Sequence, residues 1–254
     1  PRLLLDLNGA CNLNCTMCMV HGKDVEEANA RFGGVEARFR NMGHGMLEKM
    51  LDEICASGEP KPMIWTALNG EPLFNKDYRK NVTMMKEKGF NVASHTNGIL
   101  LDDTMAQFMI DLPLDAVSIS LDAFKEETYI LIRENKHFKR IHENIFNLLK
   151  IRGEKPYPRI EVSMNMMDEN WQEEKEFVDY WSEYVDVIRV NSVVSPDEAT
   201  SFPRKPITAE RKPCQSLYDS MPVFYNGNTG LCCRDPFCED NMGNVESTSV
   251  EAVW

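Results

Sequence analysis

Apolar residues recur along this chain in two alternating rhythms. Short, nearly continuous apolar runs at 3–8 (LLLDLN), 63–68 (MIWTAL), 90–96 (FNVASHT), 114–122 (LDAVSISLD), 159–166 (RIEVSMNM) and 185–194 (VDVIRVNSVV) predict six β-strands. Between them, at 45–57, 76–89, 102–112, 138–152 and 169–184, apolar residues return every three or four positions, as Ile141, Ile145, Leu148 and Leu149 do, and predict amphipathic helices. Alternating strands and helices imply an α/β fold with a parallel sheet and right-handed crossovers. Several strands are apolar almost throughout, as expected where both faces are covered. Six strands fall short of a closed eight-stranded barrel, so the expected architecture is an open, curved partial (β/α)6 barrel over residues 1–195.

The rhythm breaks at residue 195. SPDEATSFPRKPITAERKP (195–213) is rich in proline and polar residues and predicts a linker over 196–213. Residues 214–254 then predict a small cysteine-rich unit, with two short strands, LYDSMPVFY and GLCCR, around the turn NGNTG. The final SVEAVW reads as the start of another helix, and the natural chain is expected to continue.

Length and charge narrow the function classes. A chain of 254 residues with 43% hydrophobic content suits one large domain with a small appendage. A formal net charge of −12, spread over the helices, argues against a nucleic-acid partner, because phosphate binding needs clustered Lys and Arg. There is no run of 18 apolar residues and no secretory signal at Pro1, so neither a membrane partner nor export is expected, and the expected location is cytoplasmic. The eight cysteines gather mainly near the two ends of a long helix-and-strand chain, unlike the short, loop-rich disulfide scaffolds, and this favours metal binding in a reducing compartment. Cys55, inside a predicted helix, is expected to be a small core residue.

Parallel sheets place their ligands at the carboxyl ends of the strands. Four polar motifs fall there. Cys11, Cys15 and Cys18, spaced C-x₃-C-x₂-C, follow the first strand; NGEP (69–72) follows the second; HTNG (95–98) ends the third; SLDA (120–123) ends the fourth. Zinc usually takes four ligands, often as paired CxxC knuckles, and this loop offers three cysteines. A 4Fe–4S cube also normally takes four cysteines. Three would leave one iron open to a small molecule.

A C-x₃-C-x₂-C loop after the first strand and a Gly-Glu-Pro element after the second resemble the signature of the radical S-adenosylmethionine (radical SAM) enzymes, over roughly residues 3–194. The resemblance implies that Cys11, Cys15 and Cys18 hold a 4Fe–4S cluster whose open iron binds S-adenosylmethionine. The cofactor is split reductively, and a 5′-deoxyadenosyl radical takes a hydrogen atom from a substrate C–H bond. By the same resemblance Gly70 and Glu71 meet the cofactor's amine, Glu71 as a charge-assisted acceptor, while Thr96, Asn97 and Ser120 meet its ribose and methionine end. Asp122 shares that strand end with a less defined role, and His95 is the histidine nearest the site. The chain departs from many relatives in carrying Met17, not an aromatic residue, before the third cysteine; a thioether still packs on an adenine ring. For each of these polar residues the plainer reading is a turn cap or strand-end hydrogen bond.

The run from Cys214 through Gly227 to Cys232 resembles the opening of a SPASM or twitch domain, which carries an auxiliary 4Fe–4S cluster in a radical SAM subfamily. The adjacent Cys232 and Cys233 can hardly both bind one cube, which favours Cys232. Cys238 is left three roles: completing the cluster, donating a hydrogen atom as a catalytic residue, or none. The resemblance also implies a one-electron donor such as flavodoxin or ferredoxin. Relatives act on ribosomal peptides, protein side chains, and sugars or aminocyclitols. EETYILIR (126–133) and EFVDYWSEYVDVIRV (176–190) resemble members working on small carbohydrate-type molecules, so oxidation or epimerisation of a small polar substrate is expected, with a peptide or protein substrate as the alternative. The non-enzymatic alternative is a zinc-stabilised binding scaffold.

Overall fold

The computed structural model describes residues 1–22, 25–31, 34, 36, 39–66, 68–192 and 214–254. All six expected strands form: β1 (Arg2–Leu5), β2 (Met63–Trp65), β3 (Val92–Thr96), β4 (Ala116–Ser120), β5 (Arg159–Met166) and β6 (Val187–Ser192). Each pairs in parallel with the next, so this half of the sheet winds in one direction and curves as a partial barrel. The crossovers carry helices His44–Ser57, Tyr78–Glu87, Asp103–Asp111, Phe138–Arg152 and Glu174–Trp181, close to the periodic stretches. Among the described residues before 193, two helices lie outside those stretches: Val25–Arg31, and Glu126–Arg133 after β4. The latter has only eight residues and buries Tyr129, Ile132 and Arg133, too short a span for periodicity to stand out.

The sheet has two unlike faces. Leu3, Leu5, Ile64, Val92, Val117, Ile119, Ile160, Val162 and Met164 are fully buried and join one core with Leu47, Leu51, Ile141, Ile145, Leu148, Phe177 and Trp181 of the helices. The in-register rows on the concave face are polar: His95, Ser118 and Glu161 in one, Ser120, Ser163 and Arg189 in the next, then Asn165 and Asn191. The expectation that both faces are apolar holds for the helix side alone. Side chains alternate across a strand, and the polar residues of VASHT, AVSIS and RIEVSMNM mostly share one parity.

The carboxyl-terminal residues join the same sheet. β7 (Ser220–Val223) pairs in parallel with β1, on the side opposite β2; β8 (Asn228–Thr229) and β9 (Gly243–Asn244) follow antiparallel. Arg2 binds Asp219 at 2.8 Å, Lys49 Nζ donates to the Val245 carbonyl at 2.9 Å, and the Val250 N–H donates to Glu53 at 2.9 Å. GLCCR forms no strand; its cysteines lie in a turn, and the second short strand sits within NGNTG. SVEAVW does start a helix, Val250–Val253, with the Ser249 hydroxyl accepting from the Ala252 N–H. Cys55 is exposed, correcting its core assignment, because its neighbour Ile54 occupies the buried face of that helix. The linker, 196–213, lies outside the described residues. Among the described residues no helix is long and apolar enough to cross a membrane.

Trp181 is fully buried, with ring centroids of His142 at 5.2 Å, Tyr180 at 5.2 Å and Phe146 at 5.8 Å. Truncating it leaves a large cavity, so Trp181→Ala is expected to lower stability by about 3–5 kcal/mol in denaturant unfolding; a loss below about 1 kcal/mol would contradict this packing.

Candidate functional site

The chain leaves β1 and immediately builds the cysteine loop. The Cys18 N–H donates to the Cys15 carbonyl at 3.0 Å, and the Gly22 N–H to the Cys18 carbonyl at 2.9 Å. Gly22 is required here: a Cβ would sit 2.4 Å from the Cys18 oxygen and 2.9 Å from that of Cys15. The Thr16 N–H and hydroxyl both donate to the Ile132 carbonyl, at 2.9 and 3.2 Å, tying the loop to helix Glu126–Arg133. Cys11, Cys15 and Cys18 all line one cavity of about 330 Å³, with Met17, His21, Gly70, Glu71, His95, Thr96, Asn97, Ser120, Arg133 and Asn165 among the other lining residues. The four motifs placed at the strand ends by the sequence therefore do converge.

The NGEP turn is stitched to the start of the cysteine loop. The Glu71 N–H donates to the Ala10 carbonyl at 2.8 Å, Asn8 Nδ2 donates to the Glu71 carbonyl at 2.8 Å, and Asn8 Oδ1 accepts from the Ala10 N–H at 2.7 Å. The approach is close enough that a Cβ on Gly70 would lie 2.0 Å from the Asn8 carbonyl oxygen. From below, Asp6 Oδ1 accepts from the N–H groups of Asn69 and Gly70, at 3.2 and 3.1 Å. The other Asp6 oxygen is buried without a partner, and burial pushes this carboxyl up to about 7 against the pull of those two donors.

Glu71 is 3% exposed, and its carboxylate is turned inward. Oε1 accepts from the Thr96 hydroxyl at 2.6 Å and the Leu73 N–H at 3.1 Å; Oε2 accepts from the Asn97 N–H at 2.7 Å. Burial raises its pKa, opposed by those donors. Glu71 thus binds the second strand's turn to the third strand's end. Asn97 passes the link onward, its Nδ2 donating to Asn12 Oδ1 at 2.7 Å beside Cys11.

At the next strand, Ser120 Oγ and His95 Nε2 are 2.6 Å apart. Burial holds His95 below the ordinary histidine value, so the imidazole is neutral at pH 7. Asp122 does not line the cavity. It sits in a left-handed backbone conformation (φ 62°), fully buried, and pairs with Arg133 at 2.5 Å. Arg133 does line the cavity, and its Nη1 donates to Cys15 Sγ at 3.4 Å. Burial works against its charge, but Asp122 and Cys15 outweigh burial and keep it ionised. Sequence reasoning passed over Arg133, Asp6, Asn8 and Gly22. Asp6 and Asn8 were visible as same-parity polar breaks in LLLDLN, and Arg133 as the one cation of EETYILIR.

The loop fits a cube-type cluster. Three thiols of one constrained loop share a cavity, with N–H donors aimed at sulfur: the His21 N–H reaches Cys18 Sγ at 3.2 Å and Arg133 reaches Cys15. Among the described residues no three His, Cys, Asp or Glu side chains are grouped to hold a single metal ion, whereas a cube takes one thiolate per iron and needs no such convergence. Burial raises the Cys15 thiol, and burial and the nearby Glu71 push Cys11 up to about 12. Metal binding is what draws such protons off.

The carboxyl-terminal cysteines do not line this cavity. Cys232 and Cys238 are half-buried and Cys214 and Cys233 exposed. Cys232 to Cys238 form two successive turns, in which the Asp235 N–H donates to the Cys232 carbonyl at 3.1 Å and the Cys238 N–H to the Asp235 carbonyl at 3.2 Å. This segment docks beside the site: Asn69 Nδ2 donates to the Pro236 carbonyl at 2.6 Å, and Arg31 lies 4.7 Å from the Phe237 ring centroid and 2.5 Å from Glu239.

The family model described as the Radical SAM superfamily matches residues 7–181. The tungsten-containing aldehyde ferredoxin oxidoreductase cofactor-modifying protein of Pyrococcus furiosus is 26% identical over 246 residues, covering 92% of this chain and 65% of that protein. Among solved structures, Streptococcus suis SuiB bound to precursor peptide SuiA superposes with a TM-score of 0.74 at 14% identity, over 100% of this chain and 64% of that one. Native anSMEcpe with bound AdoMet superposes with a TM-score of 0.73 at 16% identity, over 99% and 79%. The chain thus spans about two thirds of the length of the first two.

Asp6 generates a pH test. Its carboxyl is raised from 3.8 to about 7 in the fold, so the folded state binds the extra proton. The stability this proton confers is full below about pH 4 and is lost as pH rises through about 7. Denaturant midpoints measured from pH 4 to 8 are expected to show that fall in the parent and a flatter profile in Asp6→Asn; identical profiles would contradict the assignment.

Proposed function

The chain belongs to the radical SAM superfamily, and from that premise we propose that it is an S-adenosylmethionine-cleaving enzyme that modifies a small polar substrate by removing a hydrogen atom. One observation carries this reading: Cys11, Cys15 and Cys18 share a cavity with the residues of the NGEP, HTNG and SLDA turns. When bound there, a 4Fe–4S cluster with one open iron supplies the electron that splits the sulfonium and yields the 5′-deoxyadenosyl radical.

The chain's own residues anchor, orient and exclude water. Cys11, Cys15 and Cys18 hold the cluster, and Met17 offers a polarizable surface to adenine. Glu71 keeps Gly70 and the Asn97 backbone in place, so the amine of the cofactor meets a pre-formed edge of backbone and carboxylate oxygens. Thr96, Asn97 and Ser120 offer polar contacts to the ribose and methionine end, and Asp122 acts through Arg133. Arg133 is a buried cation on the cavity wall, suited to the methionine carboxylate.

The concave face supports a polar substrate. Glu161 accepts from the Ser118 hydroxyl at 2.7 Å and from Arg189 Nε and Nη2, both at 2.9 Å. Burial works to raise Glu161, but the Arg189 fork and Ser118 lower it overall, so it is ionised at pH 7. The Arg189 side chain is half-exposed, so this row can offer further donors to the hydroxyl or amino groups of a substrate. Oxidation or epimerisation are the outcomes this reading favours. Cys214, Cys232 and Cys238, with Cys233 beside them, are proposed to hold an auxiliary cluster, with Cys238 as the alternative hydrogen donor. A flavodoxin- or ferredoxin-type protein would supply the electron.

Anaerobically reconstituted protein is expected to be brown, with about four irons per chain for one cube or about eight for two, and to cleave S-adenosylmethionine. Cys15→Ala should abolish cleavage, and Cys214→Ala should spare it while stopping product formation. Deuterium from a labelled polyol or amino sugar is expected in 5′-deoxyadenosine by mass spectrometry. Deuterium arriving only from labelled peptides would move the substrate to the peptide class. Colourless zinc protein without cleavage would sink the enzyme reading.

A further inference from the structure

A buried ion pair, Asp122 with Arg133, presents its arginine to the sulfur-lined end of the cavity. Arg133 closes helix Glu126–Arg133 and is 7% exposed. Its Nη1 donates to Cys15 Sγ at 3.4 Å while Nη2 meets Asp122 at 2.5 Å. Both partners are held. Asp122 Oδ1 accepts from the Asn165 N–H at 2.8 Å and from Asn165 Nδ2 at 3.2 Å. The residue before Arg133 is tied to the cysteine loop through the two Thr16 hydrogen bonds, so backbone contacts fix the guanidinium's distance from the loop.

Charges in this position act with little solvent screening. Cluster potentials depend on net charge, on hydrogen bonds to the sulfurs and on exposure. A guanidinium donating to a ligand thiolate stabilises the extra electron of the reduced cluster; a carboxylate behind it opposes that electron and limits the gain. We infer that the Asp122–Arg133 pair sets the reduction potential of the cluster held by Cys15, with Arg133 raising it and Asp122 lowering it. This rests on the radical SAM reading above. Both residues are positioning residues in this role: the incoming electron comes from the external one-electron donor, and neither side chain changes its bonding.

The test is a potentiometric titration of the anaerobically reconstituted protein, followed by electron paramagnetic resonance without S-adenosylmethionine. The signal that changes shape when S-adenosylmethionine is added identifies the loop cluster. Arg133→Gln is expected to shift the midpoint to more negative potential and Asp122→Asn to less negative potential, at equal iron content. Arg133→Lys, which keeps the charge, should stay nearer the parent than Arg133→Gln. Opposite signs are the decisive feature, since general loosening of the site would move both variants the same way. Shifts of the same sign, no shift in either, or a Lys variant matching the Gln variant would overturn the inference. If Arg133→Gln does not retain iron, Asp122→Asn decides: a shift to less negative potential supports the pair's role, and any other result overturns it. A parent that takes up no cluster overturns both this inference and the family-level function; a parent that cleaves S-adenosylmethionine while the variants' midpoints stay put overturns this inference alone.

Discussion

The carboxylate of Glu71 is the knot on which the site depends. A carboxylate this buried is tolerated only when donors surround it, and its donors come from its own turn and from the end of β3. Its backbone is tied in turn to Asn8 and Ala10, where the cysteine loop begins. Hydrogen bonds to charged groups are worth about 1.5–3 kcal/mol each, so the three strand ends are locked to one another by local chemistry as well as by the sheet. The sequence resemblance cast Glu71 as a direct partner of the cofactor's amine. The structure shows its oxygens already engaged, which gives the residue a scaffolding part whatever further contact it makes.

The second organising feature is the asymmetry of the sheet. The helix-facing side is a continuous apolar core, and the concave side carries Ser118, Ser120, Glu161, Ser163, Asn165 and Arg189 in register. Such a surface costs stability unless its groups are paired, and Glu161, Arg189 and Ser118 satisfy each other. Radical chemistry needs a site that orients one C–H bond and keeps out water; a strand-built polar wall holds its side chains more rigidly than loops would.

Much of this was legible in the chain. The six barrel strands and five of the helices were signalled by period, because long amphipathic stretches such as Phe138–Arg152 leave a strong pattern. The convergence of the cysteines with NGEP and HTNG followed from the rule that parallel sheets present ligands at one edge. What stayed hidden depends on long-range contact. The parallel pairing of β7 with β1 joins residues more than two hundred apart, and no local pattern announces it. Arg133 carries no local signal of burial, which follows from its contacts with Asp122 and with Cys15 of the distant cysteine loop. The concave polar rows are hidden in strands that look apolar almost throughout, because they emerge only when alternate positions are taken separately.

The central claim is that three thiolates leave one iron free to bind the cofactor directly. Pulsed electron–nuclear double resonance on the reduced, cluster-loaded protein tests it most directly, using S-adenosylmethionine labelled with ¹⁵N at the amine and ¹⁷O at the carboxylate. The account predicts hyperfine coupling from both labels to the cluster. A cluster with four side-chain ligands and no coupling to either label would contradict it.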